Sequence, residues 1–296
     1  MGSARFGRVL TAMATPFAAD GSLDIAGAAA LARWLVNHGS DGLVLAGTTG
    51  EAPTLTDDEK VVLWEAVRSA VDVPLLAGAG SNDTRHSVEL ARRAAATRVD
   101  GLLIVTPYYN RPPPAGIEAH FRAVADATEL PVVLYDVPSR TGRRIPTDVL
   151  VRLAREVATV VGVKDAAGDP GTTAQVIAEA GDDFDVYSGD DAITLALLGV
   201  GAVGVIGVAT HWAGDVFAEM IAAFDKGDMT TARQLNARLA PSYAVEVGPN
   251  WVQTTAAKAA LAELGVHDGP LRLPLPPVSD EAREAIRGVL TELGLP

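Results

Sequence analysis

Short apolar runs recur along the chain, and they alternate with longer segments whose apolar residues are spaced three and four positions apart. Short apolar runs are typical of strands buried on both faces, and the wider spacing is typical of amphipathic helices. The predicted strands are Val9–Ala14, Gly42–Ala46, Pro74–Ala77, Gly101–Thr106, Val132–Tyr135, Val160–Lys164, Phe184–Tyr187 and Ala202–Val208.

A helical segment with an Ala-rich face follows most of these runs. The predicted helices are Ile25–His38, Asp58–Val71, Arg85–Thr97, Gly116–Thr128, Thr147–Val157, Gly171–Ala180, Ala192–Leu198 and Ala213–Phe224. Eight alternating units predict an α/β fold, the (β/α)8 TIM barrel, with an open doubly wound sheet as the alternative. We assign the barrel, as the catalytic domain, to residues 1–225.

Strand signals stop after the eighth unit. Three further helical segments follow, joined by turns that contain Pro and Gly, and they predict a C-terminal three-helix extension over residues 226–296. These segments are Asp228–Val247, Gln253–Leu264 and Asp280–Leu293.

One uncharged run, from Ala192 to Thr210, is close to the length of a membrane span. Glycines interrupt it, and two aspartates lead into it. We therefore interpret it as a short helix followed by a buried strand.

Composition and charge exclude several classes of function. Hydrophobic residues make up 48% of the chain and charged residues 21%, which allows a large core. A net charge of −13 argues against nucleic acid or an anionic membrane as a partner. The absence of cysteine excludes disulfides, iron–sulfur clusters and a cysteine nucleophile. With no targeting pattern at the N-terminus, we expect a cytoplasmic protein.

The sixth predicted strand ends in a lysine. Lys164 follows four small or apolar residues and precedes a turn that contains Gly168. Poor solvation at the end of a buried strand disfavours an ammonium ion, and a neutral amine can attack a carbonyl to form a Schiff base. The alternative is a lysine that extends to solvent or pairs with Asp165.

Other reactive side chains fall at the ends of other predicted strands, where a barrel has its active site. Thr48 and Thr49 lie in a glycine-flanked turn after the second strand, which favours binding of a carboxylate, although such a turn is also common without a ligand. Tyr135 ends the fifth strand, so its phenol is expected beside Lys164 as a proton donor and acceptor. Arg140 follows and can bind a second carboxylate.

Five motifs follow one another along the chain: GTTGE, TPYYN, YDVPSRTG, GVKDA and SGDD. In this order and spacing the chain resembles the dihydrodipicolinate synthase branch of the class I, pyruvate-dependent aldolase superfamily. The resemblance implies a lyase that condenses pyruvate with L-aspartate 4-semialdehyde to 4-hydroxy-tetrahydrodipicolinate in lysine biosynthesis, through diaminopimelate. It also implies a homotetramer.

The resemblance implies a role for each site residue. Lys164 would form the Schiff base with pyruvate, without a cofactor or a metal, and the proton relay would consist of Tyr135, Thr48 and Tyr109, the last donated across a subunit interface. The substrate-binding residues would be Thr49 for the pyruvate carboxylate, Ile206 through its backbone, and Arg140 for the carboxylate of aspartate semialdehyde. Asp136 and Asp165 depart from the usual Asn and Glu of the family.

Three alternatives stay open at this point. Another aldolase, such as N-acetylneuraminate lyase or a 2-keto-3-deoxy sugar acid aldolase, would share the mechanism with a different aldehyde. A barrel that only binds a ligand would share the fold. A metal-dependent aldolase would need clustered ligands, but the five histidines are scattered, and Asp190 and Asp191 are more typical of helix caps.

Overall fold

The computed structural model describes residues 4–295 and contains a closed barrel of eight parallel strands in sequence order. The predicted (β/α)8 barrel is therefore confirmed, and the open sheet is excluded. Residues 1–3 and 296 of the predicted domain ranges lie outside the described residues. The strands are β1 Val9–Ala12, β2 Gly42–Leu45, β3 Leu75–Gly78, β4 Gly101–Val105, β5 Val132–Asp136, β6 Val160–Asp165, β7 Asp185–Ser188 and β8 Gly204–Gly207.

The helices also match the predicted segments to within a few residues. They are α1 Ile25–Asn37, α2 Asp57–Ala70, α3 Thr84–Ala95, α4 Pro114–Ala125, α5 Pro138–Thr141, α6 Thr147–Glu156, α7 Pro170–Ala180, α8 Thr194–Val200, α9 Thr210–Asp225, α10 Met229–Val245, α11 Gln253–Glu263 and α12 Asp280–Leu293. Two short 3-10 helices, Ala52–Thr54 and Asp191–Ile193, complete the set in the described part of the chain.

Two helices differ from the sequence prediction. The short helix α5 was not expected, because four residues are too few to display a helical period. Helix α9 begins at Thr210 rather than Ala213, and Ala213 has non-helical backbone angles that kink it. The uncharged run forms α8 and β8, as predicted. Within residues 4–295, no helix combines the length and apolar composition that a membrane span requires.

The described chain forms two compact units. The first comprises residues 4–8 and 74–206, and the second comprises residues 9–73 and 207–295. The predicted division into a barrel domain and a helical extension falls between α9 and α10, and it stays a prediction.

In the first unit, the pairing of β5 with β6 contains one irregularity. The partners of Val132 and Val133 are two residues apart on β6, so Val161 is an additional residue in that strand. Beyond it, Tyr135 lies opposite Lys164. Because successive side chains of a strand point to opposite faces, this insertion decides which residues of the two strands share a face.

In the second unit, α10 packs on α9, and α11 packs on α12. The indole N–H of Trp212 in α9 donates to the hydroxyl of Ser242 in α10 at 2.9 Å, and both side chains are buried. Helix α11 is rich in alanine and buried along most of its length. Small side chains let this helix pack closely. Lys258, in the middle of the helix, is an exception, because its buried side chain is long and charged.

His211 is fully buried near the start of α9. Its Nε2 accepts the N–H of Ala14 at 3.0 Å, and its Nδ1 lies 2.7 Å from the carbonyl of Val208. A neutral ring protonated on Nδ1 satisfies both contacts, whereas a second proton would face the Ala14 N–H. Burial lowers the pKa of His211 to about 4, despite the hydrogen bond with Val208.

We expect His211 to make stability depend on pH. Between pH 6.5 and 4 the unfolded chain protonates this side chain and the folded chain does not, so stability falls as the pH falls, by up to about 1.4 kcal/mol per pH unit. The variant His211→Gln should be less stable at pH 7, and its deficit relative to wild type should shrink towards pH 5. Urea unfolding of both proteins at pH 7, 6 and 5 measures this. Parallel curves would contradict the assignment.

Candidate active site

Lys164 and Tyr135 meet at the carboxyl ends of β6 and β5. Nζ of Lys164 lies 4.6 Å from the centre of the Tyr135 ring. Both residues are buried, at 4% and 7% exposure. The predicted proximity of amine and phenol is confirmed, and the site shields the amine from bulk water.

Gly189 makes room for the aliphatic part of Lys164. A Cβ atom on Gly189 would lie 2.9 Å from Cγ of Lys164 and 2.9 Å from Cβ of Ala166, closer than side chains pack. The Gly189 N–H also donates to the Asp165 carbonyl at 2.7 Å, which fixes the end of β7 beside the end of β6. Only glycine permits this approach without displacing the lysine. Gly189 lies within the SGDD motif, and nothing in the local sequence indicates this packing role.

A pair of buried carboxyl groups lies at the next position of the same strands, where Asp136 is opposite Asp165. The Asp165 carboxylate accepts the N–H of Ala167 at 2.9 Å and the hydroxyl of Thr173 at 2.6 Å. Burial raises the pKa of Asp136 to about 7, and nearby Asp165 adds to the rise, while the N–H of Ile145 and the guanidinium of Arg144 oppose it. The charge of Asp136 therefore changes near neutral pH.

Asp136 also closes the loop that carries Arg140. Its Oδ1 accepts the N–H of Ile145 at 3.0 Å, and its Oδ2 lies 3.8 Å from Nε of Arg144. The loop between them contains α5, on which Arg140 is exposed. The structure thus places Arg140 just beyond the end of β5, as predicted.

Tyr109 has a different environment from the other predicted residues. It lies beyond the end of β4 with a positive φ of 71°, and its side chain is 89% exposed. Arg111, also at positive φ, donates from Nε to the Gly142 carbonyl at 3.1 Å. This contact ties the Tyr109 segment to the Arg140 loop. The phenol itself projects away from its own chain.

Ile206 lies in β8 and is fully buried, in the strand that pairs with β7. Its side chain therefore contributes to the core. The backbone role that the family resemblance implies stays a prediction.

In the second unit, the turn after β2 carries Thr48 and Thr49. Thr49 is buried, Thr48 is half-buried, and the residues at either end of the turn, Ala46 and Glu51, both have positive φ. The N–H groups of Glu51 and Ala52 donate to carbonyls within the turn. These two N–H groups therefore do not contribute to the anion-binding turn that the sequence predicts. The candidate donors that are left are the two hydroxyls and the N–H groups of residues 47–50.

The charged partners of this turn are not apparent from the sequence. The Glu51 carboxylate is buried against Lys258 of α11, and it also accepts the N–H of Arg272. The available signal was a single lysine in an otherwise small and apolar helical segment. Such a pattern does not indicate which distant carboxylate is the partner of the lysine.

The possible metal ligands have other roles. Among residues 4–295, no three His, Cys, Asp or Glu side chains come together as a metal ion would need. The Asp190 carboxylate accepts the N–H of Ala192 at 3.0 Å, which is the capping role that the sequence favoured.

A closed (β/α)8 barrel with a buried lysine beside a tyrosine at the carboxyl ends of two strands has the architecture of a class I aldolase, a barrel lyase. The sequence profile of the Dihydrodipicolinate synthetase family matches residues 5–293. The chain belongs to this family.

Individual relatives agree with the family assignment. The chain is 53% identical over 285 residues to 4-hydroxy-tetrahydrodipicolinate synthase of Acidothermus cellulolyticus, with 96% of this chain and 90% of that one covered. Identity to the enzyme of the same name from Moorella thermoacetica is 48% over 294 residues, covering 98% and 99%. A crystal structure of dihydrodipicolinate synthase from Bacillus anthracis has a TM-score of 0.93 and 42% identity, covering 97% of this chain and 98% of that one.

We predict that Gly189→Ala will impair the reaction of Lys164 with a keto acid. The added methyl would collide with the lysine side chain, and a displacement of about 1 Å can cost up to about a hundredfold in rate. The rate of adduct formation in single-turnover experiments measures this. The matched control is Gly199→Ala in α8, where an added Cβ meets nothing within 4 Å. Equal rates for both variants would contradict the packing argument.

Proposed function

We propose that this protein condenses pyruvate with L-aspartate 4-semialdehyde to give 4-hydroxy-tetrahydrodipicolinate, through a Schiff base on Lys164. The observation that carries the proposal is the buried amine of Lys164 against the ring of Tyr135. The names of the relatives support the substrates. They give no support to N-acetylneuraminate lyase or a sugar acid aldolase as the alternative.

Among the four lysines of the chain, the surroundings favour Lys164 as the nucleophile. Lys258 is 2.6 Å from the Glu51 carboxylate, and Lys60 is 3.7 Å from that of Asp57, so each lies in an ion pair. Lys226 is exposed to solvent. Lys164 is buried against an aromatic ring at the end of a strand, where parallel barrels have their reactive groups.

The chemistry follows from this amine and phenol. The amine of Lys164 adds to the keto carbon of pyruvate, and Tyr135 transfers the proton that lets the carbinolamine lose water. The imine then loses a methyl proton to become an enamine, whose carbon attacks the aldehyde and leaves a hydroxyl group. Finally the amino group of the second substrate attacks the imine carbon, closes the ring and releases Lys164. One water is lost overall.

The other residues bind the substrates and move protons. Thr49 holds the pyruvate carboxylate, Thr48 passes protons between the two tyrosines, and the backbone of Ile206 lines the pyruvate site. Arg140, on a loop closed by Asp136, binds the carboxylate of the aldehyde substrate. The support for these roles is the family resemblance, together with the positions of Thr48, Thr49 and Arg140 beyond the ends of strands and of Ile206 within β8.

We propose that Tyr109 completes the relay in a neighbouring subunit of a homotetramer. Its 89% exposure and the positive φ angles at Tyr109 and Arg111 support a segment that projects towards a partner. We further propose that the enzyme needs neither a metal nor another cofactor, because the covalent imine supplies the electron sink. We also propose that the enzyme is cytoplasmic.

Borohydride reduction in the presence of pyruvate tests the proposed function. We expect one reduced three-carbon adduct, located on Lys164 by peptide mass mapping and also formed after treatment with EDTA. Lys164→Ala should abolish it, whereas the control Lys226→Ala, which removes an exposed lysine, should leave it unchanged. An adduct on another lysine, or none, would refute the mechanism.

The role of Arg140 is tested by Arg140→Ala. Loss of a charge-assisted contact with a carboxylate costs about 1.5–3 kcal/mol, so kcat/KM for aspartate semialdehyde should fall by about one to two decades while the pyruvate adduct still forms. Arg155→Ala, which removes an exposed arginine from the last turn of α6, is the control. Steady-state kinetics with both substrates measure the effect. Unchanged kinetics would point to an aldehyde without a carboxylate at this position.

A further inference from the structure

The carboxylate of Glu51 is enclosed by cationic residues of the C-terminal segment. Nζ of Lys258 lies 2.6 Å from one oxygen, and the backbone N–H of Arg272 donates to the other at 2.8 Å. The side chains of Lys258 and Glu51 are only 2% and 1% exposed. Glu51 is the last residue of the turn that carries Thr48 and Thr49, so this ion pair holds one end of the turn.

Lys258 has further partners that keep it in place. Its Nζ donates to the Pro270 carbonyl at 2.7 Å and lies 4.3 Å from the centre of the Phe17 ring. Burial lowers the pKa of Lys258, and the Glu51 carboxylate opposes this shift. A charge buried to this extent is stable only with its counter-charge in position, so Lys258 and Glu51 depend on each other.

Arg272 extends the same contact to the start of α2. Its guanidinium lies 4.1 Å from the centre of the Phe17 ring, and its Nη1 donates to the Thr54 carbonyl at 2.8 Å and to the Glu59 carboxylate at 2.9 Å. The hydrogen bonds from Arg272 lower the pKa of Glu59 to about 2. Because Glu59 also completes the capping box of α2, Arg272 fixes the whole stretch from the turn to that helix.

The turn needs such support because its backbone is strained. Ala46 and Glu51 have φ angles of 53° and 55°, a region that costs a residue with a Cβ about 1–2 kcal/mol. Helix α11 also reaches the turn directly, since the Thr254 hydroxyl lies 3.4 Å from the Thr48 carbonyl. The contacts from the C-terminal segment therefore oppose relaxation of the turn to a less strained form.

We propose that Glu51, Lys258 and Arg272 are positioning residues, through which the C-terminal helices hold Thr48 and Thr49 in the conformation that binds the pyruvate carboxylate. The assignment of the carboxylate rests on the function proposed above. The holding of the turn does not, because it follows from contacts within residues 46–59 and 254–272.

A double variant separates positioning from stability. Removing only Glu51 or only Lys258 leaves a buried charge without its partner, which destabilises the fold whatever the role of the turn. The pair Glu51→Gln with Lys258→Met removes both charges and roughly keeps both volumes. It should recover most of the stability lost in Lys258→Met alone, and it should still leave the turn without its ionic contact.

The experiment measures two properties of the full-length double variant. We expect amide hydrogen exchange in peptides covering residues 46–55 to accelerate at least about tenfold, with exchange in α12 unchanged. We also expect KM for pyruvate to rise about tenfold, with a much smaller change in KM for the aldehyde substrate. Should the double variant fold poorly, Arg272→Lys provides the same two readouts, because it keeps the charge and leaves the Glu51–Lys258 pair intact but loses the forked contacts with the Thr54 carbonyl and Glu59.

The matched control is Arg287→Ala, which removes an ion pair with Glu263 from the exposed surface of the same C-terminal helices. It should change neither quantity. A folded double variant with wild-type exchange in residues 46–55 and a wild-type KM for pyruvate would overturn the proposal. If wild type forms no pyruvate adduct, the proposed function fails, and the exchange result alone then decides whether the ion pair holds the turn.

Discussion

The pairing of β5 with β6 is the constraint on which the chemistry depends. The additional residue at Val161 shifts the register, so that Tyr135 lies opposite Lys164. Without it, Tyr135 would lie opposite Val163, and the amine would belong to the other face of the sheet. The additional residue therefore places the amine and the phenol on the same face of two buried strands. Gly189 then leaves space for the lysine, and burial keeps both groups away from bulk water.

Around this pair the structure keeps several polar groups buried, and each has a specific partner. The Asp165 carboxylate is satisfied by Thr173 and a backbone N–H, while Asp136 closes the Arg140 loop with a pKa near neutrality. Buried carboxyl groups cost stability unless they are hydrogen-bonded. Because both carboxyl groups here are hydrogen-bonded, this cost is offset, and Asp136 in addition fixes the loop that carries Arg140.

The C-terminal helices have a comparable relation to the turn after β2. A helix of mostly small residues brings one lysine against Glu51, and Arg272 joins the same carboxylate to the start of α2. The strained backbone at both ends of the turn explains why such contacts are needed. In this family member the C-terminal helices thus contact the turn that carries Thr48 and Thr49 through side chains, in addition to packing on α9.

The sequence by itself determined the order and type of the elements, because burial of each strand and helix is recorded locally as runs and spacings of apolar residues. It also indicated Lys164, Tyr135, Thr48, Thr49 and Arg140, because polar residues directly after a buried run must lie at a strand end. Only the tertiary structure decided the β5–β6 register, the room that Gly189 provides and the ion pair of Glu51 with the C-terminal segment. The bulge leaves no mark in the apolar pattern, and Glu51 and Arg272 are 221 positions apart, so no local signal connects them.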